Sequence, residues 1–225
     1  MSRPSPKQLI FSHFAAIAKA LGNAHRLELL EQIAQGECSV EILARKTGLT
    51  LANASQHLQH LRRAGLVAVR RDGTFINYSL ADNAALDVMA GLRRIAERNL
   101  AEVQLVVHGY FHERDSMEPI SRKELVKRLR EGSVTVLDVR PADEFARGHV
   151  SGAANVPLKE LSSRMAELDP AKEIIAYCRG AYCVFSFEAV AKLRSKGFKA
   201  RRLEDGFPEW SAAGLPLATA ESLIS

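Results

Sequence analysis

Two cysteines, Cys178 and Cys183, carry most of the chemistry this sequence can do. The first ends the apolar run Ile174-Ile175-Ala176-Tyr177, and the second follows after Arg179-Gly180-Ala181-Tyr182, where another apolar segment begins. If the run is a strand and the later segment a helix, several backbone N–H groups and a positive helix end converge on the Cys178 sulfur. They stabilise its thiolate and lower its pKa, which makes a nucleophile. Cys183 has two readings. It can attack a persulfide or sulfenate on Cys178 and close a disulfide, or it can be a small thiol in the first helical turn.

The elements that must hold this loop can be read from periodicity. Ser121 and Glu124 have the spacing of a capping box, and residues 134–139 are a β-branched strand that runs through Asp138-Val139-Arg140. A short helix over 141–146, a strand at 154–156 and a helix over 158–168 follow. Strands at 173–177 and 200–203 flank a helix over 184–196. Alternating strands and helices predict an α/β fold with a parallel sheet, which places Cys178 at the C-terminal end of a strand, where such folds hold their sites.

Leu137-Asp138-Val139-Arg140, Gly148-His149-Val150-Ser151-Gly152-Ala153, Tyr177-Cys178-Arg179-Gly180 and Asp205-Gly206-Phe207-Pro208-Glu209-Trp210 together resemble a rhodanese domain, over about residues 117–218. The resemblance implies a sulfane sulfur carried as a persulfide on Cys178, taken from a donor such as thiosulfate and passed to a thiol or other thiophilic acceptor. It makes Cys178 the nucleophile and the loop Arg179, Gly180, Ala181, Tyr182 and Cys183 the persulfide cradle, with Asp138 and Arg140 organising the site. Arg179 adds positive charge for an anionic donor. Related phosphatases and arsenate reductases place an arginine six residues after the cysteine to clamp an oxyanion; here that position is Val184. The implied activity is thiosulfate sulfurtransfer, and the competing reading is a degenerate module that only binds partners.

Composition fits two domains of ordinary size. The chain has 225 residues, 47% of them hydrophobic, and its apolar runs are far short of a membrane span. No apolar core of a signal peptide stands at the N-terminus, so a cytoplasmic protein is expected, with no membrane partner. Three cysteines are too few and odd for a disulfide framework. The net charge of +5 is mild, so any nucleic-acid surface must lie in its distribution: Arg62-Arg63 and Arg70-Arg71 fall in a stretch with no acid before Asp72.

The N-terminal half has helical repeats over residues 8–20 and, capped by Asn23, as far as Gly36. Ser39 caps a third helix with Glu41 in its first turn. Gly48-Leu49-Thr50 turns the chain, and Thr50 opens a fourth helix that ends at Ala64-Gly65. The fourth helix presents Leu51, Ala54, Leu58 and Leu61 on one side and Asn53, Gln56, His60 and Arg63 on the other. Asn and Gln suit paired hydrogen bonds to adenine, and arginines at the helix end suit phosphates. Strands over 66–71 and 74–80 around Asp72-Gly73 form a hairpin, with Arg70, Arg71 and Thr74 expected at its tip.

Ala20-Leu21-Gly22-Asn23-Ala24-His25-Arg26-Leu27, Ser55-Gln56-His57-Leu58, Leu61-Arg62-Arg63-Ala64-Gly65-Leu66-Val67 and Asp72-Gly73-Thr74 resemble the arsenic-responsive (ArsR/SmtB-type) repressor family of winged-helix regulators, over about residues 8–110. The resemblance implies a homodimer on double-stranded operator DNA, and adds Ser55 and His57 to the DNA-contacting set, beside Arg62 and Arg63 at the helix end. It also implies pairing through a long C-terminal helix, read here over 84–111 with Leu92, Ile95 and Leu100 on its apolar circumference. Metal sensing in that family uses a cysteine pair, and only Cys38 of Cys38-Ser39-Val40 is present. No metal site and no cofactor are therefore expected, and Cys38 is kept as a possible sensor thiol. His108 and His112 read as solvated or capping.

The chain is thus expected to be a mainly α winged helix-turn-helix domain, residues 1–112, a polar linker, and an α/β rhodanese-like domain, residues 117–225. The function expected of it is repression of transcription, with sulfane sulfur carried or sensed at Cys178. The alternatives are a sulfurtransferase with an accessory DNA-binding domain and a thiol-based arsenic or metal sensor.

Overall fold

The computed structural model describes residues 4–112 and 118–219. Of the linker expected between Gly109 and Pro119, residues 113–117 lie outside that description, as does the side chain of His112. The chain divides into two compact units, Met1–Ala90 and Gly91–Ser225.

In the first unit, α1 (Pro6–Leu21) starts with Pro6 in its first turn and a capping box between Ser5 and Gln8. α2 (Ala24–Ile33) is capped by the Asn23 side chain, which accepts the Arg26 N–H at 3.2 Å. β1 (Cys38–Ser39) leads into α3 (Val40–Thr47), which ends at left-handed Gly48, φ 67°. A residue with a Cβ is strained there, which is why the turn into α4 (Leu51–Arg63) carries glycine. β2 (Val67–Asp72) and β3 (Phe75–Leu80) form a hairpin in register from Val67↔Leu80 to Asp72↔Phe75, and β1 adds to β3 through Cys38↔Tyr78.

The core of this unit is built from Leu29, Leu30, Leu43, Ala54, Leu58 and Leu61, all fully buried. Each leucine contributes roughly 1.5–3 kcal/mol relative to exposure. Two expectations about its helices fail in this unit. Leu51, expected on the buried side of α4, is 51% exposed, because it stands in the first helical turn, beyond the reach of the core. Ser39 occupies the cap position of α3 without a side-chain cap bond; its backbone is paired to Asn77 in the sheet and the residue is buried.

The helix expected over 84–111 is not continuous. α5 (Ala84–Asn99) ends where Leu100 takes an extended backbone, and α6 (Ala101–Val106) passes into a π-helical turn over Val107–His112. The Asn99 amide donates back to the Ile95 carbonyl at 2.8 Å, and that of Gln104 donates to the Glu97 carbonyl at 3.0 Å. Side-chain amides thus close the end of α5, which apolar spacing alone does not reveal.

The rest of the second unit is an α/β fold. α7 (Arg122–Arg130) is capped by Ser121, but the Glu124 carboxylate pairs with Arg128 at 2.5 Å. Then come β4 (Val134–Asp138), α8 (Ala142–Arg147), β5 (His149–Val150) and β6 (Ala154–Asn155). α9 (Leu161–Arg164), with a 3-10 turn over Met165–Glu167, is shorter than the helix expected there. β7 (Glu173–Tyr177), α10 (Val184–Ser195), β8 (Ala200–Arg202), α11 (Phe207–Ala212) and β9 (Leu217–Ala218) follow.

Strands in the order β6-β4-β7-β8 make a parallel sheet, and β5 pairs with β9 in a small antiparallel one that hydrophobic patterning does not disclose. Ile174 and Ala176 of β7 enter one apolar cluster with Ala189, Val190 and Leu193 of α10. Ile175 and Tyr177 enter another with Leu203 and Trp210. Burial on both faces explains why the run before Cys178 is unbroken hydrophobic and not alternating.

Candidate functional site: the Cys178 loop and the outer face of the fourth helix

β7 delivers Cys178 at its C-terminal end, and Cys183 stands at the cap position of α10. The six-residue loop is closed: the Cys183 N–H donates to the Gly180 carbonyl at 3.1 Å, and a disulfide joins Cys178 to Cys183 across a Cα–Cα distance of 6.0 Å. Cys178 is only 1% exposed, and its carbonyl accepts the Phe207 N–H at 2.9 Å. The loop is therefore fixed at its base by α11 and at its end by α10.

Gly206 is a site residue whose role only the folded chain reveals. A Cβ there would lie 2.3 Å from the Gly180 nitrogen and 2.4 Å from the Arg179 carbonyl carbon, so only glycine lets the chain before α11 press against the loop. Its own N–H donates to the Glu209 carboxylate at 3.0 Å, and burial pushes the Glu209 carboxyl above its ordinary value. The signal lay in Asp205-Gly206-Phe207-Pro208, but a close approach between segments so distant in sequence is a tertiary fact.

Asp138 and Arg140 form a fully buried clamp. Arg140 Nη2 donates to Asp138 Oδ2 at 2.6 Å and to the Gly148 carbonyl at 2.8 Å, while Arg140 N–H donates to Asp138 Oδ1 at 2.9 Å. The Tyr177 hydroxyl donates to the same carboxylate at 2.6 Å and accepts the Val150 N–H at 3.1 Å. Burial works to lower the Arg140 pKa, but the Asp138 carboxylate outweighs it and the guanidinium is held more firmly charged. Burial, with Asp138, drives the Tyr177 phenol well up, so it stays a donor. The guanidinium also lies 4.2 Å from the Phe207 ring centroid. These groups brace the strand ends on which the loop sits.

Arg179, expected to draw an anionic donor, is bound to a partner in its own unit. Its Nη2 and Nε reach the Glu144 carboxylate at 2.7 and 2.9 Å, and its guanidinium lies over Phe185. Since Glu144 is fully buried, the pair also fixes the start of the loop against α8. Tyr182, at the far end, donates its hydroxyl to Glu97 and packs its ring 5.3 Å from that of Phe111, which in turn meets Phe187. Burial, with Glu97, pushes the Tyr182 phenol well up.

In the first unit, α4 points Ala54, Leu58 and Leu61 inward and leaves Asn53, Gln56, His60, Arg62 and Arg63 exposed. Ser55, Arg62 and Arg63 share a groove of about 580 Å³ with Arg71 and Tyr78 of the hairpin. The hairpin tip is Gly73-Thr74, so Arg70, opposite Asn77, stands back from it. Arg70 is paired with Glu37, Nε to Oε1 at 3.0 Å, and with Asp72 at 3.3 Å. That pair holds the Glu37 carboxyl below its ordinary value. His57 is half-buried, 5.7 Å from His25 ring to ring, and its Nδ1 is buried without a hydrogen-bond partner. Burial, with Arg26 and the neighbouring histidines, lowers its pKa. Cys38 is a buried thiol in the small sheet.

Residues 21–70 match the helix-turn-helix domain family and residues 121–213 the rhodanese-like domain family. The HTH-type transcriptional regulator Rv0324 of Mycobacterium tuberculosis is 41% identical over 94% of this chain and 92% of its own length. A sulfurtransferase of Allochromatium vinosum is 29% identical over 45% of this chain and 95% of its own length. Among solved structures, the homodimeric winged helix-turn-helix fragment of Mb0332 from Mycobacterium bovis, described as a possible ArsR-family transcriptional regulator, is 35% identical, with a TM-score of 0.41 over 45% of this chain and 94% of that one.

Proposed function

The chain belongs to the helix-turn-helix transcriptional regulators, of the arsenic-responsive repressor type and with a rhodanese-like C-terminal domain, and we propose that its regulatory input is sulfane sulfur taken up at Cys178. In this reading the Cys178 thiolate attacks the outer sulfur of a donor such as thiosulfate. An S–S bond forms on Cys178, the donor's S–S bond breaks, and sulfite leaves. The Cys183 thiolate then attacks the Cys178 sulfur and expels hydrosulfide, which leaves the disulfide. The two loop thiols are oxidised by two electrons and the sulfane sulfur is reduced to sulfide.

The observation that supports this reading most is the Cys178–Cys183 disulfide, which puts the second thiol within bonding reach of the first. The cradle also favours sulfur over a larger oxyanion, because Val184 stands where a clamping arginine would be needed.

On the DNA side, Asn53, Gln56, His60 and Arg63 read base edges and phosphates, with Ser55, Arg62 and Arg71 along the groove. Arg70 contributes through the hairpin's shape, by way of Glu37. The protein acts as a homodimer, a reading supported by the apolar residues that α1 leaves exposed, Leu9, Ile10, Phe11 and Phe14, and by Leu92 and Ile95 of α5. The test of the sulfur step is mass spectrometry of thiosulfate- or polysulfide-treated protein with a thiosulfate:cyanide transfer assay. A persulfide or a disulfide on Cys178, with transfer lost in Cys178→Ser, is the expected result. An unmodified Cys178 and equal transfer in wild type and Cys178→Ser would overturn it.

A further inference from the structure

The sulfur loop touches more than its cradle. One of its six residues, Tyr182, makes two contacts beyond it: its hydroxyl donates to Glu97, and its ring lies against Phe111. Glu97 stands in the last turn of α5 and has Arg93 one turn back, 3.9 Å from the same carboxylate oxygen. α5 is a single helix from Ala84 to Asn99 whose early residue Ala85 is part of the first unit's core. The helix end is closed by the Gln104 amide on the Glu97 carbonyl. Glu97 is thus held on its backbone by the segment after α5 and on its side chain by the sulfur loop.

We propose that the Tyr182–Glu97 hydrogen bond is a latch that reports the covalent state of the Cys178–Cys183 loop to α5. The inference rests on the sulfur reading given above, because it needs the loop to have two states. Tyr182 immediately precedes Cys183. Closing the disulfide fixes Cys183 against Cys178 and with it the direction in which Tyr182 leaves the loop; opening it removes that tie. A persulfide adds a sulfur about 2 Å beyond Cys178, in space the Cys183 sulfur occupies when the disulfide is closed. The disulfide state holds the latch, and the dithiol and persulfide states release it. The chemistry of the Tyr182 phenol suits such a latch, since it is a neutral donor facing an acceptor-only carboxylate.

The test is hydrogen exchange on the full-length protein, prepared as dithiol and as disulfide with each state verified by mass. Amides of residues 91–99 exchange about tenfold more slowly in the disulfide state; Glu97→Ala removes that difference while disulfide formation and thiosulfate:cyanide transfer persist, and Tyr182→Phe removes it while disulfide formation persists. Equal exchange of α5 in the two states of the wild-type protein, or an undiminished difference in both variants, overturns the latch. The two readings separate because the same samples can be titrated with a duplex that the dithiol protein selects from a random pool. A state-dependent α5 with unchanged DNA affinity leaves the latch standing and removes sulfur as the transcriptional signal.

Discussion

At the scale of single residues, the site is defined as much by what its charges are tied to as by which charges are present. Arg70 and Arg179 look like open cations in the sequence, and both are in ion pairs within their own unit, with Glu37 and Glu144. Those partners stand 33 and 35 residues away along the chain, so no local pattern could have disclosed them. Gly206 is the clearest case of a residue whose role is steric: Gly206→Ala would drive a methyl group into the Arg179–Gly180 peptide. That variant is expected to retain its folded circular dichroism and lose at least about tenfold in thiosulfate:cyanide transfer, since displacing a reacting group by an ångström costs on the order of a hundredfold. His57 offers a second check. Its lowered pKa means that the folded chain resists a proton which the unfolded chain accepts near the ordinary histidine value of 6.5. The first unit therefore loses stability as pH falls from that ordinary value toward the folded one. An NMR titration should place His57 below 6.5, and His57→Gln should flatten the acid limb of the stability curve.

At the scale of elements, the hydrophobic pattern locates most of the fold. β7 is legible because both of its faces are buried and its run is short, and α4 is legible from Thr50, whose side chain accepts the Asn53 N–H, and from the glycine in the turn before it. The break at Leu100 is not, because the apolar spacing continues across it without a proline; only the amide side chains of Asn99 and Gln104 mark the end. The short strands β1, β5 and β9 escape as well, being two residues each and set by their partners instead of by their own sequence. α1 gives the prediction that belongs to this scale. It buries only Ala20 and Leu21 and leaves Phe11 and Phe14 more than half exposed. A charge there should oppose pairing of two copies, so Phe14→Glu is expected to sediment as a monomer, with its helical content retained, where the wild-type protein sediments as a dimer. Equal sedimentation of the two would remove α1 from the interface.

At the scale of the whole chain, a helix-turn-helix unit and a rhodanese-like unit share one polypeptide, and the proposal turns on whether the second governs the first. The winged helix supplies a helix face suited to base edges. The rhodanese-like unit supplies a buried thiol with a second thiol at bonding distance. A regulator built this way needs only a modest coupling, since a tenfold change in operator affinity corresponds to about 1.4 kcal/mol. The measurement that bears on this most directly is the operator affinity of the full-length protein as dithiol and after treatment with thiosulfate or polysulfide, at one fixed salt concentration because phosphate contacts make affinity salt-dependent. Control by sulfane sulfur predicts binding at least about tenfold weaker after treatment, and no such change in Cys178→Ser. Equal affinity of the two wild-type states, with the Cys178–Cys183 disulfide verified by mass in the treated sample, would contradict it.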